Sequence, residues 1–353
     1  MWPYWLMFLV PAWAVLTPGR LKPSQARVMW GVVGVVFALM MGLRHEVGGD
    51  WGIGTAGYLP LFQRTAAMAF AEVVSGGDPG YYGLNWVVAR LGGTIYHVNL
   101  FCAAIMMWGT VRFCRAQPNP WLALVAAVPY MLVVVGMGYT RQAVALGFAL
   151  LGLTALGNGR VRTFVIWIAI GATFHKSAVL LLPIAALAAS RNRFFTALMV
   201  GATTVLLYYL LLADTSEALW TNYVDTQRQS QGGLVRVAMN VVPALLLVAF
   251  RKRLAPDLQE RKLWLWMAAF ALICLPLVGF ASTAVDRVAL YLIPLQLFVF
   301  ARMPRLAATV GVRTPVVLGV VGYYTAVLFV WLNFGVHSQY WLPYQMVWWG
   351  NAV

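Results

Sequence analysis

Four short polar stretches interrupt an otherwise apolar sequence, and each lies at the mouth of an apolar segment. They are Arg44–Trp51 (RHEVGGDW), Gly136–Gln142 (GMGYTRQ), Ala172–Ser177 (ATFHKS) and the pair Asp286-Arg287. Charges at such places are costly unless they are paired or contact a polar ligand. Arginine and lysine at a helix N-terminus suit a phosphate-like anion, and a nearby acid or histidine suits proton transfer.

Each stretch also has a plain structural interpretation. Arg44–Trp51 is compatible with a loop that only caps a helix end, and Arg141 with an arginine that extends its head group to the membrane surface. A single histidine such as His175 is usually a core residue with satisfied hydrogen bonds. The recurrence of the same cluster at four helix mouths favours a binding or catalytic site over these alternatives.

The composition decides what kind of elements carry these residues. Of the 353 residues, 62% are apolar and only 10% are charged, which is typical of a multispanning membrane protein. A span needs about 20 mainly apolar residues, so the sequence predicts an all-α, polytopic protein of about 12 transmembrane helices with an outer-face cavity. We expect a single transmembrane domain over residues 1–353, with outer loops at about 44–94 and 213–236.

The predicted spans follow the apolar runs, two of which flank His175 and are short enough for broken or re-entrant helices. The runs are Trp2–Leu16, Val28–Leu43, Ile95–Val111, Trp121–Met137, Ala143–Leu156, Phe164–Thr173, Ala178–Ala189, Phe195–Leu212, Val237–Phe250, Leu263–Phe280, Val288–Ala301 and Val316–Phe334.

The charges predict the orientation of these spans. One set of alternate connections carries seventeen basic residues against two acidic ones, and the other set carries eight of each. The positive-inside rule therefore places the first set in the cytoplasm and both termini outside. Because topology accounts for the whole net charge of +15, no nucleic-acid partner is needed.

The outer connections contain four further features. Tyr58–Val74 has the apolar spacing of a helix lying in the membrane interface, and Gly76–Gly80 has turn chemistry. Asp214–Gly233 is polar and suits either a mobile lid or a plain linker. The aromatic tail Phe334–Val353 is typical of an interfacial segment.

Several classes of site are not indicated. Cys102, Cys114 and Cys274 are scattered and lack disulfide or zinc spacing. Ser177 follows His175 by two residues, a spacing that does not form a protease dyad on a helix. The sequence has no P-loop or dinucleotide fingerprint, and no basic segment precedes the first apolar run, so a cleaved signal peptide is not expected.

The motifs taken in order resemble the EpsG family of Wzy-type polysaccharide polymerases. The resemblance is carried by Arg44 with Gly49-Asp50 and Tyr58, by Tyr139–Ala145 (YTRQAVA), by Phe174–Ala178 (FHKSA), and by Asp286-Arg287 followed by Tyr291. It spans roughly residues 39–297. Trp51 stands where the family usually has another aromatic pattern, and the tail beyond Trp331 matches only at Pro343-Tyr344.

The resemblance implies glycosyl transfer on the outer (periplasmic) face of a bacterial inner membrane. An undecaprenyl-diphosphate-linked oligosaccharide would serve as donor and a second such unit as acceptor, next to membrane lipid, with a chain-length regulator as a further partner. No cofactor and no metal are expected. A flippase for a lipid-linked sugar and a ligase that moves finished glycan to another acceptor are the alternatives.

The resemblance also implies roles for individual residues. Cations would bind the diphosphate, and one group would accept the proton of the acceptor hydroxyl. The expected diphosphate ligands are Arg44, Arg141, Lys176 and Arg287. The leading base is Asp50, followed by Glu46 and His175, and the further substrate contacts are Gln142, Tyr58 and Tyr291.

Overall fold

The fold was examined in a computed structural model that describes residues 1–17, 19, 22–51, 57–188, 193–211, 232–280, 282–307 and 309–348. Over these residues it is helical and contains no strand. This confirms the predicted all-α class. Each of the twelve predicted apolar runs lies largely on helical structure.

Several helices begin at a proline. Proline fits the first helical turn because it has no N–H group that would need a hydrogen-bond partner there. Pro23, Pro79, Pro120 and Pro294 start helices in this way. The α-helices are α1 Trp2–Leu16, α2 Pro23–Gly42, α3 Tyr58–Ala67, α4 Phe70–Ser75, α5 Pro79–Arg90, α6 Ile95–Arg115, α7 Pro120–Gly138, α8 Thr140–Gly157, α9 Val161–Phe174, α10 Leu182–Ala188, α11 Arg193–Leu211, α12 Gly233–Leu254, α13 Leu258–Leu277, α14 Ser282–Leu292, α15 Pro294–Phe300 and α16 Val310–Phe334. Short 3₁₀ turns cover Lys176–Leu181, Met303–Leu306 and Ser338–Tyr340.

Among the described residues, five helices are long and apolar enough to cross a membrane: α2, α7, α8, α12 and α16. A sixth span results if Ser282–Leu292 and Pro294–Leu306, which are bent by 42° at their junction, are counted together. The predicted number of twelve spans therefore stays a prediction.

Helix α7 is the centre of the bundle. Its spanning window is 94% buried, whereas that of α16 is only 22% buried. Within α7 the residues Val128–Val135 form a π-helix, where Pro129 removes one backbone hydrogen bond. Helices α6 and α8 pack closely because Gly109 and Gly147 face each other: a Cβ on Gly109 would lie 2.1 Å from the Gly147 carbonyl oxygen.

Buried polar side chains connect other helices inside the bundle. Asn240 of α12 donates to the Ala289 carbonyl at 2.8 Å and accepts from the amide of Gln296 at 2.8 Å. The hydroxyl of Tyr324 in α16 completes the network by donating to Gln296 at 3.0 Å. Such bonds join helices in lipid, where apolar packing alone gives little preference for one partner.

Four local predictions need correction. The helix predicted over Tyr58–Val74 is two helices, since the Glu72 side chain accepts the Ala69 N–H at 3.0 Å and starts α4 there. The predicted turn Gly76–Gly80 ends at Asp78, after which Pro79 opens α5, a helix the sequence analysis did not predict.

The pair Asp286-Arg287 does not open its helix, because α14 begins at Ser282 and the pair lies more than one turn inside it. The tail is not simply interfacial either, since Trp341 and Tyr344 are buried at 1% and 5% exposure. The predicted lid Asp214–Gly233 lies almost wholly outside the described residues.

Candidate active site

The Arg44–Trp51 loop is built around the buried side chain of Arg44, which is only 1% exposed. Its Nε donates to the Val47 carbonyl at 3.1 Å, its Nη2 donates to the Thr140 hydroxyl at 2.8 Å, and its Nη1 donates to the Met41 carbonyl. The guanidinium therefore joins the end of α2 to the start of α8 and holds the Arg44–Trp51 loop that follows α2.

The C-terminal tail holds the same loop from the other side. A β-bridge pairs Arg44 with Met346, and the Gly48 N–H donates to the Tyr340 carbonyl at 2.8 Å. Gly48 has φ +106° and approaches α7 so closely that a Cβ would lie 2.2 Å from the Met137 carbonyl oxygen. Only glycine fits both requirements.

Trp341 closes the contact between the tail and α7. Its indole N–H donates to the Val133 carbonyl in the π-helical part of α7 at 2.9 Å. Its ring lies where a Cβ on Gly138 would come within 2.4 Å. The Tyr4 hydroxyl of α1 donates to the Trp341 carbonyl at 2.6 Å, so the first helix and the tail support one loop.

Asp50 lies at the end of this loop and is exposed, although much protein surrounds it. The resulting desolvation raises the pKa of Asp50 above its usual value, while Arg287, Arg141 and Arg44 oppose the rise, in that order. The Asp50 carbonyl accepts the Tyr58 N–H at 2.8 Å and so ties the loop to the start of α3. The carboxylate is thus within the field of three arginines.

Tyr58 connects Asp50 to Arg141. Its hydroxyl accepts the Arg141 backbone N–H at 3.4 Å, and the Arg141 guanidinium lies 5.9 Å from its ring centre. Burial and the neighbouring Asp50 raise the pKa of Tyr58 to about 12. The phenol therefore stays neutral and serves as a hydrogen-bonding and packing group.

Arg141 at the start of α8 forms an ion pair with Asp78, at 2.9 Å between Nη1 and Oδ2. The other carboxylate oxygen of Asp78 accepts the Lys176 backbone N–H at 3.3 Å. Asp78 is 4% exposed, and burial raises its pKa against the lowering effect of Arg141 and Lys176. One carboxylate thereby connects the two motifs that contain Arg141 and Lys176.

His175 lies at the corner between α9 and the 3₁₀ turn, next to α8. Its Nε2 accepts from the Gln142 amide at 3.3 Å. Burial lowers the pKa of His175 well below its usual range, and Arg287, Arg141 and Lys176 lower it further. Neutral imidazole is therefore the dominant form near pH 7, which suits hydrogen bonding to an anion better than proton abstraction.

Arg287 on α14 completes the cationic group. Its guanidinium lies 5.8 Å from the ring centre of Tyr139, and that of Arg236 lies 5.9 Å from the same ring. Arg236 in turn pairs with buried Asp286 at 2.5 Å. This pair joins α12 to α14 and so helps to fix the position of Arg287, the residue that follows Asp286 on α14.

The structure brings most of the predicted site residues together at one end of the bundle. They are Arg44, Asp50, Tyr58, Arg141, Gln142, His175, Lys176, Arg287 and Tyr291. Glu46 differs, because it is exposed, has a positive φ of 52° and interacts electrostatically with Tyr96. Arg44 also differs from the expected ligand role, since it is buried and each of its three side-chain nitrogens already donates to Met41, Val47 or Thr140.

Five of the predicted site residues have a buried polar atom without a hydrogen-bond partner. Among the described side chains, these buried atoms include Arg141 Nε, Gln142 Oε1, His175 Nδ1, Arg287 Nε and the Tyr291 hydroxyl. Buried polar atoms are normally satisfied, so a concentration of exceptions suggests a place for a polar ligand. Four of these five atoms can donate a hydrogen bond, and Gln142 Oε1 only accepts.

The charge of the cluster indicates the sign of that ligand. Four cations, Arg44, Arg141, Lys176 and Arg287, face two carboxylates, Asp50 and Asp78, and leave a surplus of positive charge. Phosphate groups suit a cluster of guanidinium and ammonium groups of this kind, because their oxygens accept charge-assisted hydrogen bonds. Within the described part of the chain, no three His, Cys, Asp or Glu side chains are grouped to hold a metal ion.

Sequence reasoning missed three contributors to the site. Asp78 was interpreted only as part of a turn, and Thr140 only as a neighbour of Arg141. The tail was given no role, although Pro343-Tyr344 had already matched the family pattern. The signal available for Asp78 is that the chain has only 10 acidic residues, and an acid in so apolar a protein needs a partner.

Comparison with known proteins gave one match. The model of the EpsG family matches residues 27–346, which is nearly the whole chain. No curated protein matched the chain, and neither did any solved structure. The matched range includes the site residues from Arg44 to Met346 and leaves out only Tyr4 of the contacts described above.

Proposed function

The chain belongs to the EpsG family of Wzy-type polymerase-like membrane proteins, and on that basis we propose a specific reaction. It polymerises undecaprenyl-diphosphate-linked oligosaccharide repeat units at the outer (periplasmic) face of the bacterial inner membrane. The membrane topology proposed for this reaction has about twelve spans, both termini outside, and an outer-face cavity lined by the site residues.

The observation that carries the proposal is the group of unpartnered buried atoms on Arg141, Gln142, His175, Arg287 and Tyr291. These side chains come from α8, α14 and the His175 corner, and they surround a cationic centre. A lipid diphosphate bears about one negative charge per bridged phosphate and offers many acceptor oxygens. It therefore matches both the charge and the unused donors.

The proposed chemistry is a glycosyl transfer with a diphosphate leaving group. The acceptor hydroxyl attacks C1 of the reducing-end sugar of the donor, and the bond between C1 and the diphosphate oxygen breaks. The electron pair of that bond leaves with the lipid diphosphate. Arg141, Arg287 and Lys176 stabilise the charge that develops there.

Asp50 is the proposed base that takes the proton of the acceptor hydroxyl. Its raised pKa makes it a stronger base than a free aspartate, and its exposure leaves it open to the acceptor. His175 serves instead as a neutral donor to the diphosphate, because its pKa is lowered. Arg44 is assigned a supporting role that holds the loop of Asp50, which revises its expected role as a ligand.

The reaction is tested with purified protein in lipid nanodiscs and a synthetic undecaprenyl-diphosphate oligosaccharide. A ladder of products that grows by one repeat unit at a time is expected without added metal. A flippase would leave the substrate unchanged, and a ligase would transfer once to a different acceptor. Either result would contradict the proposal.

Variants of the two arginines test the site itself. Arg141→Ala and Arg287→Ala are expected to abolish the ladder while folded protein remains in the membrane. The matched control is Arg90→Ala, since Arg90 is an exposed arginine at the end of α5 that packs on Trp86. Normal ladder formation by Arg141→Ala would show that this arginine serves only its ion pair with Asp78 and does not bind the diphosphate.

A further inference from the structure

Asp78 is a buried carboxylate directly beside the proposed diphosphate site. Simple electrostatics makes this unfavourable, because a fixed negative charge repels the diphosphate. We propose that Asp78 is a positioning residue: it holds the Arg141 guanidinium so that its Nε faces the diphosphate. This inference rests on the proposed function.

The backbone around Asp78 fixes the carboxylate in place. Gly77 adopts φ +45° just before it, and Pro79 starts α5 just after it. At Gly80 the first turn of α5 touches α9 so closely that a Cβ would lie 2.3 Å from the Thr173 hydroxyl oxygen. The start of α5 is therefore docked against the end of α9, next to His175.

The contacts of Asp78 use only one side of the arginine fork. Oδ2 accepts from Arg141 Nη1 at 2.9 Å, whereas Nε on the opposite side of the fork is buried without a hydrogen-bond partner. The Arg141 side chain is still 33% exposed, against 5% for Asp78. The carboxylate thus orients the guanidinium without covering it. It leaves Nε to donate to a phosphate oxygen, next to the Tyr58 hydroxyl that shares a side-chain hydrogen bond with Arg141.

Asp78 also sets the spacing between two parts of the site. Its Oδ1 accepts the Lys176 backbone N–H at 3.3 Å. Arg141 on α8 and the His175-Lys176 corner are consequently held to one carboxylate, although they lie 35 positions apart in the sequence. A diphosphate that contacts Arg141 and His175 together depends on this spacing.

Positioning and simple charge repulsion predict opposite results for Asp78→Asn. Loss of the negative charge alone would tighten binding of an anion. Loss of a charge-assisted bond that orients Arg141 would weaken it, by about tenfold for one such bond. The sign of the change therefore decides between the two roles.

The experiment measures the binding of farnesyl diphosphate, a short prenyl diphosphate, to the full-length protein in nanodiscs by calorimetry. The variants are Asp78→Asn, Arg141→Gln and the double variant, with Glu72→Gln as the control. Glu72 is an exposed acid on neighbouring α4, so its change removes the same charge on the same side of the protein. The unfolding midpoint of each variant is recorded, and Asp78→Glu replaces Asp78→Asn if the latter does not fold.

The expected pattern is about tenfold weaker binding by Asp78→Asn, a larger loss by Arg141→Gln, and a double variant no weaker than Arg141→Gln alone. Glu72→Gln should bind like the wild type. Equal or tighter binding by Asp78→Asn, or losses that add in the double variant, would overturn the positioning role and leave the proposed function intact. Absence of binding by the wild type would overturn the proposed function and, with it, this role.

Discussion

Asp50 differs from the other acids of the site in being exposed, without a side-chain partner among the contacts described above. Its pKa is raised, so its carboxylate is a better base than a free aspartate but loses its charge at a higher pH. Asp78, by contrast, uses both oxygens to hold neighbouring groups. The two carboxylates therefore have different tasks, and proton transfer is assigned to Asp50.

Replacement of Asp50 by asparagine is expected to lower turnover by about 10²- to 10⁴-fold, because the amide cannot accept the proton. A base acts only when ionised, so the wild-type rate should fall as the pH drops through the raised pKa of Asp50. This acid limb should be absent in Asp50→Asn. The measurement is the rate of ladder formation between pH 4 and pH 8, in roughly half-unit steps.

Glu46→Gln is the control for Asp50, since Glu46 is an acid of the same loop that faces Tyr96. It should keep the acid limb. Binding of a prenyl diphosphate should change little in Asp50→Asn, because the arginines hold the diphosphate. An unaltered pH profile with near-normal polymer in Asp50→Asn would exclude it as the base and favour Glu46 or His175.

The sequence points to the charged and ionisable residues of the candidate site because they follow one rule. Such a side chain in or beside an apolar helix is expensive unless something contacts it, so Arg141, His175 and Arg287 are conspicuous without any structure. The partner of each charge is not visible in this way. Asp78 faces Arg141 only because the close contact between Gly80 and Thr173 brings α5 to α9.

Helix α7 and the C-terminal tail form the support for the catalytic loop. Trp341 is buried against Gly138 and donates to Val133, while neighbouring tail residues hydrogen-bond with the backbone of Leu43, His45 and Gly48. The sequence predicts an interfacial segment for the tail, because an aromatic-rich composition is compatible both with an interfacial segment and with a segment buried against the helices. The contact of Trp341 with Tyr4 joins the two ends of the chain, and no local pattern predicts such a pairing.

Trp341→Ala is expected to destabilise the protein by about 3–5 kcal/mol, the usual cost of emptying a large buried aromatic site. Polymer formation should fall as well, because Gly48 and Asp50 lose their support. Trp348→Ala is the matched control, since Trp348 lies in the same tail but is 63% exposed. Equal unfolding midpoints and equal polymer yields in the two variants would mean that the tail has only an interfacial role.

The crossing of α6 and α8 depends on two glycines rather than on apolar bulk. A side chain at Gly147 would lie 2.8 Å from the Ile105 carbonyl oxygen, so Gly147→Leu must push α8 away from α6. The expected cost is about 1–3 kcal/mol, as for other overpacked cores. Displacement of α8 should also weaken farnesyl diphosphate binding, because Arg141 and Gln142 start this helix.

Gly157→Leu is the control for this helix, since Gly157 is at its other end and a Cβ there meets nothing within 4 Å. It should keep both the unfolding midpoint and the binding. The unfolding midpoint and the dissociation constant are measured for each variant in nanodiscs. Wild-type values for Gly147→Leu would show that the glycine contact does not set the position of Arg141.

In the molecule as a whole, one polar cluster lies at the connections with equal numbers of acidic and basic residues, and another lies at the connections that are rich in basic residues. One contains Arg44, Arg141, Lys176 and Arg287. The other contains Arg302, which donates to Gln117 and to Glu260 at 2.7 Å. The second cluster belongs to the connections rich in basic residues, which the positive-inside rule assigns to the cytoplasm. The rule therefore predicts that the site lies on the outer side, where the proposed lipid-linked donor and acceptor would meet.

Cysteine labelling of intact cells with a membrane-impermeant maleimide tests this orientation. The background is low, because Cys102, Cys114 and Cys274 are buried. Glu46→Cys and Gln339→Cys are expected to react from outside, and both positions are exposed. Because the tail is hydrogen-bonded to the Arg44–Trp51 loop, these two positions must lie on the same side in any orientation.

Asn158→Cys is the matched inner position, since it is exposed in the connection between α8 and α9 that carries Arg160 and Arg162. It should react only after the cells are made permeable. Reaction of Asn158→Cys in intact cells, with protection of Glu46→Cys and Gln339→Cys, would invert the topology. The cationic cluster would then face the cytoplasm, against the positive-inside rule, and the reaction proposed for the outer face would lose its site.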